Sequence, residues 1–330
     1  MMNNKTIFSV VPLALCLLTN AQAEKLIFSV DIIRHGDRTP IIEVPYSPHQ
    51  WVEGLGELTK TGKQQEVRLG TALRQTYINQ NHLLPAFYDP KRIYVQSTDF
   101  NRTKASAKAL LEGLYPPSSR LQFSQKTIPI HVVAQKKVTT IVKTNDDYFW
   151  RKQTRPIQND IKRWSKVTGL ALQNRWQFFH LADNLAVRHI HHVPLPSGIS
   201  NRDAQEISAL NNKLFVQSFK QKEKTNAIGN PFLSVALRYL NQAAQNKSDL
   251  KYALFSGHDS TLMSVMNMLN VPLNYLPPYA SRLNIALIEK EQQYYVKVSF
   301  NNKIVKLPFC HADLCKLATF NQWIMNNQHH

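Results

Sequence analysis

Arg34-His35-Gly36-Asp37-Arg38-Thr39-Pro40 follows an apolar run from Leu26 to Ile33 that reads as a β-strand. A strand ending in such a motif delivers it to the C-terminal edge of a sheet, where open α/β folds keep their ligand crevices. His35 offers an imidazole nitrogen able to attack phosphorus. Arg34 and Arg38 offer planar, permanently charged forks that match phosphate oxygens two at a time. Gly36 removes a Cβ where the backbone must approach a ligand closely. The neighbouring cations are expected to depress the pKa of His35, keeping part of it neutral and nucleophilic in mild acid. An Arg-rich turn around a hydrogen-bonded His is the competing reading. The five identities Arg, His, Gly, Arg and Pro arise together by chance at roughly one position in a million or rarer, which favours the phosphate site.

Two segments further out point the same way. Ile93 to Gln96 reads as a short strand, and Ser97-Thr98-Asp99 supplies capping residues for a helix running to about Leu114. That places Arg102 in the first helical turn, where the helix dipole disfavours a cation unless an anion is held nearby. Tyr252 to Ser256 reads as another strand, and Gly257-His258-Asp259-Ser260-Thr261 turns into an apolar helix through Met268. His258 and Asp259 then stand at a second sheet edge beside the first motif. A His-Asp pair by itself is more often a helix cap than chemistry. Its place after a strand, beside two other phosphate-like segments, reverses that preference.

Taken together, R-H-G-D-R-T-P at 34–40, S-T-D-F-N-R-T at 97–103 and G-H-D-S-T at 257–261 resemble the histidine acid phosphatases, the branch of the histidine phosphatase superfamily that includes prostatic acid phosphatase and the phytases. Gly54-Leu55-Gly56-Glu57-Leu58-Thr59, Gly62 and Leu276-Pro277-Pro278-Tyr279-Ala280-Ser281 add weaker echoes. The resemblance implies an α/β fold with a phosphoglycerate mutase-like core: a mixed, mainly parallel sheet flanked by helices, plus a smaller, mostly helical cap. It implies that His35 is the nucleophile forming a phosphohistidine, that Arg34, Arg38, Arg102 and His258 bind the phosphoryl oxygens, and that Asp259 protonates the leaving alcohol. Such a general acid makes the optimum acidic. No metal and no cofactor are expected. Asp31 departs from the family pattern, which carries an apolar residue there. It reads either as a hydrogen-bonded structural carboxylate or as a partner that orients an Arg.

Lys5, the apolar stretch from Ile7 to Leu18 and Ala21-Gln22-Ala23 resemble a secretory signal peptide over residues 1–23, too short for a comfortable membrane span. Cleavage there would remove Cys16 and leave Cys310 and Cys315, which in an oxidising compartment are expected to form a small disulfide loop. His311 lies between them, but two further ligands at regular spacing are missing for a metal site. The α/β core is expected at about 24–123 and 228–330, with the helical cap at about 124–227. In the cap, Trp150, Trp164, Trp176 and Phe178-Phe179 recur at helical spacing, which reads as core in preference to a ligand cage.

The formal net charge is +18, and +17 without Lys5. Solubility and general attraction of anionic substrates account for it in the simplest reading. A sharper reading is contact with acidic surfaces such as phosphorylated lipid headgroups or lipopolysaccharide. Basic runs such as Lys136-Lys137 and Lys220 to Lys224 are too short and scattered for a specific nucleic-acid motif. His189, His191 and His192 read as a solvated loop. The expectation is a periplasmic or secreted acid phosphatase acting on small phosphate monoesters, with no transmembrane segment and with homo-oligomerisation left open. A phytase or sugar phosphatase is the alternative within the family, and a basic surface-binding protein with a vestigial site is the alternative outside it.

Overall fold

The apolar run before the motif forms strand β1 (Lys25–Arg34), buried from Ile27 onward. Burial on both faces is why its hydrophobic residues run on without alternating. The structure, a computed structural model, describes residues 24–117, 127–134 and 146–328. The expected signal peptide and the Lys136-Lys137 run lie outside the described residues. The remaining strands are β2 (Ile93–Thr98), β3 (His131–Val133), β4 (Tyr252–Gly257), β5 (Arg282–Lys290), β6 (Gln293–Phe300), β7 (Lys303–Ile304) and β8 (Leu314–Lys316). They form one sheet in the order β3-β2-β4-β1-β5-β6-β7, with β8 also paired to β6. From β3 to β1 the ladders are parallel, and from β1 outward through β5 and β6 they are antiparallel. The sheet is therefore mixed, with its parallel part at the centre. The turns Glu291-Gln292 and Asn301-Asn302 take positive φ at both residues, the tight geometry that suits the twist of antiparallel hairpins.

Helices α1 (Lys60–Arg74) and α2 (Asn101–Leu114) cover one face, where Ile33, Leu73, Tyr77, Leu110 and Leu254 meet. α1 and α2 pack backbone to backbone: a Cβ on Gly70 would stand 1.9 Å from the Leu110 carbonyl oxygen. The cap helices α3 (Asp146–Thr154), α4 (Gln158–Thr168), α5 (Arg175–Ile190) and α6 (Asn201–Ser218) enclose their own core of Trp150, Trp164, Phe178 and Leu181. Helices α7 (Lys222–Ala244), α8 (Asp259–Met268) and α9 (Leu317–Gln328) cover the opposite face of the sheet. Two details differ from the expected division. α7 runs unbroken through residue 228, because Ile228 packs on Phe219 and Met263 while Phe232 and Leu233 enter the main core. β3, within the range expected for the cap, extends the main sheet. Cys310 and Cys315 are joined by a disulfide, with Cys315 buried against the core.

Asp31 sits fully buried in β1. Its carboxylate accepts hydrogen bonds from the hydroxyls of Tyr77 (2.9 Å) and Tyr252 (3.1 Å) and from the Asn284 amide (2.9 Å), and Arg282 Nε lies 3.6 Å away. Both readings of Asp31 therefore meet in one residue, but the arginine it faces is Arg282 and not one of the motif. Burial, reinforced by this carboxylate, pushes both phenols above their ordinary pKa, so they stay donors. Removing the acceptor leaves two phenols, an amide and a guanidinium short of a partner. Asp31→Ala is expected to cost about 3 to 5 kcal/mol of unfolding free energy by urea titration, while the folded fraction keeps its turnover within a few-fold.

Candidate active site

Parallel pairing brings the three sequence motifs to one edge. Arg34 is in register with Gly257 across β1 and β4, and Ser256 with Ser97 across β4 and β2. His35 and His258, just beyond those pairs, therefore leave the sheet together, beside Thr98 at the end of β2. The His35 amide donates to the Gly257 carbonyl (3.0 Å), and the two imidazole rings lie 5.5 Å apart, edge to face. The loop after His35 is held by glycine. A Cβ on Gly36 would stand 2.4 Å from the carbonyl oxygen of Gly62 in α1, and one on Gly62 would stand 2.1 Å from that of Asp37. Only two bare backbones approach this closely.

His35 Nδ1 lies 2.8 Å from the Gly36 carbonyl oxygen. A carbonyl can only accept, so Nδ1 carries the proton and Nε2 keeps its lone pair. Burial, then the charges of Arg102 and Arg34, hold the pKa of His35 well below the usual imidazole value. The direction matches the sequence-based expectation, but burial outweighs any single cation. His258 is lowered in the same way, by burial and then by Arg102 and Arg38. Its Nε2 is 3.0 Å from the Thr98 hydroxyl, which passes its own proton on to Thr103 (2.9 Å), so Nε2 is the donor and Nδ1 remains.

The three arginines are compensated differently. Arg34 pairs with Asp259 (3.1 Å), donates to the Pro277 carbonyl and stacks over the Tyr279 ring at 4.2 Å. Arg38 makes a two-pronged bond to Asp183 of α5, at 2.7 and 3.1 Å. Burial opposes the Arg38 charge, and Asp183, with Tyr279 and Asp259, outweighs it, so this guanidinium is held protonated more firmly than usual. Arg102 has no carboxylate within ion-pair distance among the described residues. It lies over the Phe100 ring at 4.5 Å, and burial with the charge of Arg38 pushes its pKa down to about 10. It does stand in the first turn of α2, but the helix cap is Phe100 and not Ser97, Thr98 or Asp99. Ser97 and Thr98 continue the β2 ladder, and Asp99 pairs with Lys104. Asp259 opens α8, with one oxygen on Arg34 and the other accepting from the Ser260 amide at 2.7 Å. Cys310 and Cys315 belong to the core beyond β7, apart from these groups.

Two cap residues reach the motif without having been singled out for it. Asp183 is the lone acid of α5, and that isolation in a basic and apolar helix was the available signal. His191, at the end of α5, places Nε2 2.8 Å from the buried Asp37 carboxylate; His189 is exposed in the last turn of α5, and only His192 lies exposed in the turn beyond it. The aromatic residues of the cap also divide. Trp150, Trp164 and Phe178 are core, while Trp176 and Phe179 are half-buried and stack with His180, one turn before Asp183. Among the described residues no group of three His, Cys, Asp or Glu is placed to hold a metal ion.

The sequence profile of the histidine phosphatase superfamily, branch 2, matches residues 25–301. The chain belongs to this family. As a histidine phosphatase of this branch it is a phosphoric monoester hydrolase. It is 30% identical to lysosomal acid phosphatase of Bos taurus over 323 residues, covering 89% of this chain and 75% of that protein. Against prostatic acid phosphatase of Bos taurus it is 28% identical over 330 residues, covering 91% and 84%. Its fold is similar to that of Hafnia alvei phytase in complex with tartrate, at a TM-score of 0.65 and 17% identity, covering 92% of this chain and 97% of that one.

In this histidine phosphatase Asp183 ties a cap helix to the motif. Asp183→Asn leaves Arg38 buried without its counter-ion, and stability is expected to fall by about 3 to 5 kcal/mol. Inorganic phosphate supplies the missing anion, so it should raise the melting temperature of the variant by more than it raises that of the parent. Equal phosphate shifts in a thermal melt would mean that Arg38 does not face the anion.

Proposed function

We propose that the chain is an acid phosphatase that hydrolyses phosphate monoesters through a phosphohistidine on His35, with no metal. The observation that carries this reading is Arg102, a largely buried guanidinium without a carboxylate, set beside a neutral imidazole whose Nε2 is free. The buried Nε donors of Arg34, Arg38 and Arg102 have no hydrogen-bond partner among the described residues either. A tetrahedral dianion meets those donors and offsets the crowded charge.

In the proposed reaction His35 Nε2 attacks phosphorus in line, a P–N bond forms, and the P–O bond to the leaving group breaks. The departing oxygen takes the proton of Asp259, which Arg34 holds in place. Water then attacks the phosphohistidine and gives a proton to Asp259 as the P–N bond breaks, restoring neutral His35 and releasing phosphate. Arg34, Arg38 and Arg102 stabilise the equatorial oxygens throughout, and His258 joins them only when its Nδ1 carries a proton. His35 must be neutral to attack, and its lowered pKa extends activity into acid.

Several observations support a periplasmic or secreted setting. The Cys310–Cys315 disulfide suits an oxidising compartment, residues 1–23 resemble a signal peptide, and no helix among the described residues is long and apolar enough to cross a membrane. The relatives at about 30% identity are acid phosphatases, whereas likeness to phytase is a likeness of fold, which favours the broader activity over a phytase or sugar phosphatase. The intact set of His35, three arginines and Asp259 disfavours a vestigial site.

Purified protein should hydrolyse nitrophenyl phosphate at pH near 5 whether or not a chelator is present. Alkaline quenching during turnover of labelled substrate, which spares the acid-labile P–N bond, should leave label on the parent and none on His35→Ala; a folded His35→Ala protein that still turns over substrate overturns the nucleophile. Asp259→Asn should lose far more rate on alkyl phosphates than on nitrophenyl phosphate, because the latter departs with little protonic help. Equal losses on both would reassign Asp259 to positioning.

A further inference from the structure

Between α3 and α4 the cap carries an open cleft of about 790 Å³ that the proposed chemistry leaves unused. Four cations line it: Arg151, Arg155, Lys162 and Lys166. All four are exposed, none of the lining residues is acidic, and no carboxylate among the described residues pairs with any of them. Helix dipoles favour cations in a last turn, which accounts for Arg151 and Lys166. Arg155 directly follows the end of α3 and is served by the same dipole, whereas Lys162 is mid-helix and has no such account. The neighbouring Arg163 shows the contrast. It faces away to Asp203 and Asp160, so one side of α4 is neutralised and the cleft side is not.

The other lining groups narrow the ligand. Trp150, Ile161 and Leu172 are buried and give the cleft an apolar floor. Four neutral polar side chains are spent on the protein's own backbone, Thr154 on the Trp150 carbonyl, Ser165 on that of Leu170, Gln158 on that of Thr154 and the Trp150 indole on that of Gln173, and the Gln173 side chain is the remaining neutral polar group of the lining. What remains for a ligand is mainly charge over apolar surface. Trp150 is packed against Phe178 at 5.0 Å, so it offers no open face for stacking a base. We propose that this cleft binds the headgroup of an anionic membrane lipid, the cations meeting its phosphate and the floor its glycerol and first methylenes. The protein then rests on an anionic bilayer through its cap, a use for part of its net charge of +18.

The test is co-sedimentation of the full chain with vesicles of phosphatidylglycerol and phosphatidylcholine, or of phosphatidylcholine alone, at low salt. The cleft variant carries Arg151→Gln, Arg155→Gln, Lys162→Gln and Lys166→Gln. A control of equal charge carries Lys91→Gln, Lys247→Gln, Lys303→Gln and Lys306→Gln, all exposed on the core. Each cation near an anionic surface changes partitioning by roughly fivefold. The cleft variant should therefore bind anionic vesicles roughly 600-fold more weakly, with the control close to the parent and no protein on phosphatidylcholine alone. A milder pair, Lys162→Gln with Lys166→Gln, should lose roughly 25-fold. Circular dichroism and melting temperature establish that each variant is folded, a readout independent of phosphatase activity. Equal losses in cleft and control variants would assign binding to diffuse charge and overturn the proposal. So would undiminished binding by the cleft variant, or tighter binding of a single-stranded oligonucleotide that depends on the same four residues.

Discussion

Three buried guanidinium groups around one imidazole constrain everything near them. Like charges at contact distance in partly buried surroundings repel by roughly 4 kcal/mol per pair, more than a small domain can absorb several times over. The chain meets this with a different device for each arginine: Asp259 from the start of α8 for Arg34, Asp183 from the cap for Arg38, and the Phe100 ring for Arg102. Only the last is without a carboxylate among the described residues. The same field, together with burial, keeps His35 and His258 neutral. Compensation is thus drawn from α2, α5 and α8 at once, and the site exists only when core and cap are both folded.

The register of the central strands supplies the positions. In a parallel ladder the C-terminal ends of neighbouring strands emerge on one side, so the pairs Arg34 with Gly257 and Ser97 with Ser256 place three distant motifs side by side. Beneath them the strands are tied by the buried hydrogen bonds of Asp31, Tyr77, Tyr252 and Asn284. A slip by one residue would turn Asp31 toward the apolar layer of Phe28, Val30 and Ile32. The polar cluster therefore fixes one alignment of β1 against β4 and β5, and that alignment fixes the distance between the two histidines.

The cap reaches the motif through α5. Asp183 holds Arg38 and also accepts from the Ile41 amide (3.1 Å), while His191 at the helix end reaches Asp37. One helix thus touches the loop after β1 on both sides of Arg38. His180, Trp176 and Phe179 stand on the same helix, with the pKa of His180 lowered by burial. Changes along α5 can therefore alter the reacting groups without touching the motif itself.

The strands before the motifs and the apolar helix after His258 were legible in the sequence, because each depends on neighbours within a few positions: an apolar run, a turn residue, a cap. Arg102 could be placed in a helical first turn for the same reason. Tertiary structure decided the rest. The cap of α2 moved to Phe100 because β2 and β3 pair through Thr98, a long-range choice that local capping preference does not contain. The continuity of α7 through residue 228 depends on packing against Phe219 and Met263. The counter-ion of Arg38 lies 145 positions away on a helix whose sequence reads as core, and pairing at that separation leaves no local signature. Local pattern thus determined which residues could do chemistry, and burial and long-range pairing decided which of them are charged, which are neutral and which remain free to meet an anion.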